Sequence, residues 1–342
     1  MTDPLRLCIL CSDKKWKEFF RGFVEWIQLT NKLIVWCRAV LNLESDEVVS
    51  LHQCAEGTSS ALPFVPHVLI HKLSEDLLTK DVALVEAAVT RWTASRGVVL
   101  LDGLPGVLIT TDRCRFAATV HCLLANRHNS SPSIFFACPR WYRTQDLLGL
   151  SQVEVFSVKH WIIKSVVACS RPGSHKMWLS TTPCSCESAL NFAGTLETCE
   201  GVPLLVQEFL SDALPVVFKV YAMAGSVLHV AAISSEPLYQ IQSEPSPSMF
   251  VCFESSNKSL FRGSISPLLE GIFEEGSSYR TLLKEFTSEL SKLLNLHLLG
   301  FDVLVEPNLG RCTVVDINYF PSYKGVPSCY DSLTNLLFSL KQ

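Results

Sequence analysis

The sequence contains neither a GxGxxG string nor a GxxxxGK followed by Ser or Thr. This excludes the dinucleotide fingerprint and the P-loop as ways of holding phosphates. No run approaches the ~18 apolar residues that a membrane helix needs. The opening MTDPLRLCILCSDKK has too short an apolar stretch and too acidic a start for a signal peptide. These absences predict a cytoplasmic protein with no membrane partner. Neither charge dominates, with 29 Lys plus Arg against 33 Asp plus Glu and a net charge of −4. A non-specific nucleic-acid binder is thereby excluded, and any polyanionic ligand must be met by a local cluster of cations. The 14 cysteines are scattered over the chain, unlike the dense spacing of small disulfide-stapled folds. The closest pairs, Cys8/Cys11 and Cys184/Cys186, lack the partner pair of a zinc site, so they read as structural thiols.

What is present is ample apolar material. With 48% hydrophobic and 18% charged residues in 342, the chain can build two or three cores at ~150 residues per domain, and disorder is excluded. Apolar strands alternate with helical patterns over the first hundred residues. RLCILCS (6–12), KLIVWCRAV (32–40), HVLIHKL (67–73) and VVLLD (98–102) read as strands. A helix capped at Ser12 or Asp13 carries Trp16, Phe19, Phe20, Phe23 and Ile27 on one stripe, and a second begins near Asp81. This alternation predicts an open, largely parallel α/β sheet, ending at the loop GLPG (103–106). A mixed region follows to residue 206, with a helix from Arg113 to Arg127 and strands at 160–168 and 176–181. Beyond it, VVFKVYAMAG and SVLHVAAIS form a long hairpin. Residues 235–264, rich in Ser and Pro, read as a mobile insertion. An amphipathic helix carries Tyr279, Leu282, Leu283, Phe286, Leu290, Leu293 and Leu294 on one face; two strands and a last helix close the chain.

The chemistry concentrates near the C-terminus. LLGFDVLVE (298–306) and CTVVDIN (312–318) are apolar strands interrupted by Asp302, Asp316 and Asn318. Alternation sets Asp316 and Asn318 on one face. An antiparallel hairpin symmetric about Leu309 sets Asp302 opposite Asp316, with Cβ atoms ~5 Å apart, a destabilising pair of like charges. A divalent cation held by all-oxygen ligands resolves the conflict; a solvated hairpin face is the other reading. Lys164 and Lys219 each interrupt a strongly apolar strand, either snorkelling to solvent or facing phosphates across a cleft. Lys15 and Lys72 stand at the carboxyl ends of the first and third strands, where ligands of parallel sheets bind.

Taken in order, SDKKWKE (12–18), HKL (71–73), LLDGLP (100–105), TDR (111–113), IIKS (162–165), SHKM (174–177), QEFL (207–210), FKVYA (218–222), GFDVLV (300–305) and DINYFPSYKGV (316–326) resemble the inositol 1,3,4-trisphosphate 5/6-kinase family. The resemblance spans almost the whole chain. It implies an α/β ATP-grasp fold, with an N-terminal Rossmann-like inositol phosphate-binding domain (1–106), a central subdomain (107–206) and a C-terminal subdomain with the magnesium site (207–342). It implies a cytoplasmic, monomeric, magnesium-dependent kinase that transfers the ATP γ-phosphate to inositol tris- and tetrakisphosphates. Asp302, Asp316 and Asn318 match ligands of two magnesium ions. Arg113, Lys164, Gln207, Glu208, Phe209, Leu210, Lys219 and Ser234 match ATP contacts. Lys15, Lys72, His175, Lys219 and Asn318 match contacts to the inositol phosphate. No residue is assigned as catalytic base.

The chain departs from the family pattern at four places. Ser322 stands where glycine is usual, Gly103 where proline is usual, the loop before SHKM reads CSRPG without an extra histidine, and AAIS (231–234) lacks an arginine. All leave the metal ligands and ATP lysines intact. An ATP-grasp carboxylate–amine ligase and a non-catalytic inositol phosphate binder remain the other two classes of function.

Overall fold

The computed structural model describes residues 3–42, 47–50, 62–125, 134–168, 173–243, 248–261 and 265–341. The first sheet contains β1 (Leu5–Cys11), β2 (Ile34–Asn42), β3 (Glu47–Ser50), β4 (Val68–Lys72) and β5 (Val99–Leu101), in the order β3-β2-β1-β4-β5. All neighbours are parallel except the edge strand β3, which sequence reading missed. The middle strand β1 is buried at every position but Arg6, so it reads as an unbroken apolar run rather than an alternation. The Ser12 hydroxyl accepts the Lys15 N–H and starts a helix that passes through a π turn (Trp16–Phe20) into Arg21–Leu29. Its Phe19, Phe20, Phe23 and Ile27 are buried, as their spacing requires.

The remaining strands are β6 (Phe135–Ala137), β7 (Trp141–Arg143), β8 (Val158–Lys159), β9 (Trp161–Ser165), β10 (Lys176–Ser180) and β11 (Cys184–Ser185), then β12 (Leu204–Glu208), β13 (Val216–Met223), β14 (Ser226–Ser234), β15 (Phe250–Glu254), β16 (Leu298–Glu306) and β17 (Arg311–Tyr319). They form a central sheet, β15-β10-β9-β12-β7, a C-terminal sheet, β14-β13-β16-β17-β6, and the small pair β8–β11. Two strands are exchanged across residue 206: β6 joins the C-terminal sheet and β15 the central one.

The Ser/Pro-rich stretch is therefore not a mobile insertion. It contains a helix (Glu236–Ser243) and β15, which pairs along its length with β10. The reason is the apolar string MFVCFE within it, whose Phe250 and Phe253 are buried, with Phe250 stacked 4.3 Å from Phe192. Residues 244–247 and 262–264 of that stretch, 126–127 of the helix expected to Arg127, and 169–172 of the loop CSRPG lie outside the described residues. The long helix is Ser278–Leu294; Leu283, Phe286, Leu290 and Leu294 are buried, whereas Leu293 faces solvent. No helix among the described residues is long and apolar enough to cross a membrane.

One apolar core runs without interruption from the N-terminal sheet (Leu7, Ile9, Leu69) into the C-terminal sheet and its helices (Phe218, Phe286, Phe301, Leu333). The central sheet has a core of its own around Trp161, Trp178 and Val206. The first and last parts of the chain thus form one body, and the cleft opens between that body and the central sheet. The segment read as a boundary, GLPG, is packed into this junction. A Cβ on Gly106 would come 2.0 Å from the Leu294 carbonyl oxygen, so only glycine allows that backbone approach. The fully buried carboxylate of Asp102 lies in the same junction and accepts the His297 and Leu298 N–H groups at 2.5 and 3.0 Å, with His297 Nδ1 at 2.9 Å.

Candidate active site

The register of the C-terminal sheet sets two rows of side chains side by side. In one, Lys219, Asp302 and Asp316 lie opposite one another on β13, β16 and β17. In the next, two residues away and so ~7 Å along the strands, stand Tyr221, Gly300 and Asn318. The expected pairing of Asp302 with Asp316 is realised. A register shift follows it, because Val303 pairs with Val314 and leaves Val315 as an extra residue on β17. This bulge lets consecutive residues, Val315 and Asp316, both line the cleft. The Val315 carbonyl accepts the Lys164 ammonium from β9 at 3.0 Å, tying the two sheets across the cleft.

The electrostatics are those of a charged floor only partly neutralised. Asp302 is 3.3 Å from Lys219; burial pushes its carboxyl pKa up while Lys219 pulls it back. Lys219 in turn has its pKa raised by Asp302. Arg113 faces Asp316 at 3.5 Å without closing a hydrogen bond, leaving Arg113 Nε and Asp316 Oδ1 buried and unpartnered. The Arg113 guanidinium donates instead to the Ser165 carbonyl at 2.7 Å. Lys164 is buried, and burial together with Arg113 lowers its pKa to about 8. Among the described residues no three His, Cys, Asp or Glu side chains cluster; the donor set is two carboxylates and the Asn318 amide. An orphaned carboxylate oxygen beside a second carboxylate fits a hard divalent cation, whose shell is completed by water or phosphate oxygens.

A cavity of about 590 Å³ extends from this floor and brings together Arg113, Lys164, His175, Gln207–Leu210, Lys219, Asp302, Asp316 and Asn318. Its far end is apolar, walled by Phe209, Leu238 and Phe253, the size and character of a nucleotide-base pocket. The Tyr239 hydroxyl donates to the Leu210 carbonyl at 3.1 Å, fixing the turn after β12. The Glu208 carboxylate pairs with Lys159 and Arg140. His175 stands at the exposed rim, its carbonyl accepting the Ser255 N–H at 2.7 Å. Leu238, Tyr239, Phe253, Ser255 and Ser256 were missed by sequence reasoning; MFVCFE was the signal that their segment is structured.

Three expected residues are placed elsewhere. Ser234 does not line the cavity; its hydroxyl accepts the Glu236 N–H at 3.4 Å at the start of a helix, and its neighbour Ser235 lines the cavity instead. Lys15 is 5% exposed and donates to the Phe320 and Pro321 carbonyls, each at 2.8 Å, with its ammonium 4.0 Å over the Phe320 ring. Lys72 donates to the Tyr319 carbonyl. The amino groups of Lys15, in the first helix, and Lys72, at the end of β4, therefore grip three consecutive carbonyls, that of Tyr319 ending β17 and those of Phe320 and Pro321 after it, where Phe320 holds a left-handed φ of 45°. Both were missed as loop-holders because a strand-end lysine reads as a cation free for a ligand. The histidine of HKL is likewise structural: His71 is buried, its carbonyl accepts the Tyr319 hydroxyl at 2.9 Å, and burial lowers its pKa.

Comparison with known proteins agrees with this geometry. The sequence profile described as "Inositol 1,3,4-trisphosphate 5/6-kinase ATP-grasp domain" matches residues 160–339. The chain is 26% identical over 286 residues to inositol-tetrakisphosphate 1-kinase of Danio rerio, covering 80% of this chain and 67% of that protein. It is 30% identical over 169 residues to inositol-tetrakisphosphate 1-kinase 6 of Oryza sativa subsp. indica, covering 48% of this chain and 28% of that one. Among solved structures, D-alanyl-alanine synthetase A of Vibrio cholerae superposes with a TM-score of 0.53 at 10% identity over 99% of both chains, a likeness of fold alone. The fold is α/β ATP-grasp, and with the profile covering more than half of it, the chain belongs to the inositol 1,3,4-trisphosphate 5/6-kinase family.

Proposed function

We propose that this protein is an inositol phosphate kinase that moves the γ-phosphoryl group of ATP to a free ring hydroxyl of an inositol tris- or tetrakisphosphate. The observation that carries the reading is the meeting of two cavities. A second cavity, about 240 Å³, is lined by Tyr221, Gly300, Pro321 and Ser322 and shares Lys219, Asp302 and Asn318 with the large one. A nucleotide in the first and an acceptor in the second would meet over the carboxylate row.

In this reading the apolar end takes the base, and the turn Gln207–Leu210 presents backbone groups to its edge. Lys164 and Arg113 hold phosphate oxygens from the central side, and Lys219 from the C-terminal sheet. Asp302, Asp316 and Asn318 would hold magnesium, which would supply charge neutralisation for the phosphates. Lys219 lies in both cavities and steers the transferring group between them. Asn318, which lines both cavities, faces the acceptor, His175 approaches it from the rim of the first, and Lys15 and Lys72 hold the loop that shapes its site. Positioning and charge neutralisation carry such a transfer, so no protein base is required. ATP lies between the central (107–206) and C-terminal (207–342) parts, and the acceptor toward residues 1–106.

Incubating the protein with ATP, magnesium and a panel of inositol tris- and tetrakisphosphates tests this. The expected result is a product with one more phosphate and stoichiometric ADP. Amide-bond formation between a carboxylate and an amine, with no inositol product, would favour a ligase; ATP binding with no turnover would favour a binder.

A further inference from the structure

We infer that Tyr221 and Ser322 are specificity-determining residues that recognise a sparsely phosphorylated edge of the acceptor. The inference rests on the kinase reading above and deepens it. The row Tyr221–Gly300–Asn318 lies one register step beyond the carboxylate row, so whatever occupies it abuts the transferring phosphate. Gly300 at its centre leaves a hollow between Tyr221 and Asn318. Pro321 packs onto the Gly300 backbone beside it, where a Cβ would stand 3.1 Å from both Pro321 Cγ and the Val220 carbonyl oxygen, so a larger residue at 300 would press on the proline that borders the hollow. Ser322, next in the chain after Pro321, lines the same hollow.

Tyr221 is held from two sides. Its ring is stacked on His229 with centroids 6.3 Å apart, and Tyr323, whose own hydroxyl is bound to the Ala222 carbonyl at 2.7 Å, lies 6.0 Å away. The Tyr221 hydroxyl is thereby fixed in place, yet among the described residues it has no hydrogen-bond partner. A donor held rigidly and left without a protein acceptor is arranged for a ligand.

Charge defines what that ligand presents. Among the described residues the only cation lining the hollow is Lys219, already paired with Asp302 at 3.3 Å. The other polar side chains there, Tyr221, Ser322 and Asn318, are neutral. The amino groups of the nearby Lys15 and Lys72 are engaged with the carbonyls of residues 319–321. Several phosphates crowded into this hollow would find no further counter-charge among the described residues, and burying unpaired charge is costly. The matching edge carries ring hydroxyls and at most one phosphate, with the Tyr221 O–H as a donor to it.

The test measures kcat and KM for inositol tris-, tetrakis- and pentakisphosphates with the wild type, Tyr221→Phe and Ser322→Gly. The wild type should show its highest kcat/KM among the tris- and tetrakisphosphates. Tyr221→Phe removes one oxygen and keeps the ring stack; it should raise the acceptor KM about tenfold while the ATP KM stays within twofold. Ser322→Gly should narrow the gap in kcat/KM between pentakis- and trisphosphate acceptors. Unchanged acceptor kinetics in both variants, with an active wild type, would overturn the assignment of these residues and leave the kinase reading standing. A wild type that prefers pentakisphosphates would overturn the charge argument. A wild type inactive on every acceptor would overturn the kinase reading and this inference with it.

Discussion

Replacing Asp316 by Asn separates the energetics of the fold from those of the site. In the folded protein Asp316 is attracted to Arg113 at 3.5 Å and repelled by Asp302 across the ladder. At an effective dielectric of ~20 the attraction amounts to ~4.7 kcal/mol and the repulsion at ~5 Å to ~3.3 kcal/mol. The two leave a loss of ~1.4 kcal/mol; the attraction of Lys164 and Lys219 adds to it, and screening reduces the sum because the Asp316 side chain is 27% exposed. Asp316→Asn should therefore fold and melt modestly below the wild type. The site behaves differently. Lys164, Lys219 and Arg113 against two carboxylates leave one net positive charge; the variant has two. Metal-free ATP should bind at least as tightly as to the wild type, while the gain in ATP affinity on adding magnesium shrinks. Loss of one anionic ligand removes several kcal/mol of charge stabilisation in the transition state, so kcat should fall by at least ~100-fold. Calorimetric titration of ATP with and without magnesium, beside steady-state kinetics, reads both effects. A variant that keeps kcat within tenfold of the wild type, or shows the same magnesium-dependent gain in ATP affinity, would refute the reasoning.

Three further outcomes are expected. Lys164→Ala should weaken ATP binding ~10–100-fold, the loss of a charge-assisted contact of ~1.5–3 kcal/mol; an unchanged Kd would reduce Lys164 to a tie between sheets. Asp102→Ala strands the buried Leu298 N–H and the partly buried His297 N–H, at ~1–3 kcal/mol for the first and less for the second, so denaturant unfolding should show a loss of ~2–4 kcal/mol, partly restored by Asn; a loss below ~1 kcal/mol would show that the junction does not depend on it. Burial, then repulsion from Lys72, lowers the Lys15 pKa to about 6 from 10.5. Between those values the unfolded chain binds the extra proton, so Lys15 favours folding as pH rises, by at most ~1.4 kcal/mol per unit, and that contribution is lost as pH falls toward 6. Lys15→Met should flatten the rise in stability between pH 7 and 9, and an identical rise in both proteins would contradict it.

How much was legible in the sequence depended on how local each signal is. The strands β1, β2, β4 and β16, the apolar stripe of the first helix and the opposition of Asp302 to Asp316 were readable, because pleat alternation, helical spacing and a short turn act between residues close in the chain. The motif strings placed Arg113, Lys164, Lys219 and the turn at 207–210 in one family, and the structure brings them into one cavity. Composition misled at 235–264, where Ser and Pro outweighed a buried strand of five residues. Other features were decided by contacts between distant segments. That Lys15 and Lys72 grip residues 319–321, that Asp102 holds the start of β16, and that Gly106 touches Leu294 follow from packing the first sheet onto the last. The same packing brings Gly300, Pro321 and Ser322 around one cavity with Tyr221. A single sequence records that a lysine ends a strand, but whether its ammonium meets a ligand or a carbonyl depends on which backbone, hundreds of residues away, is folded against it.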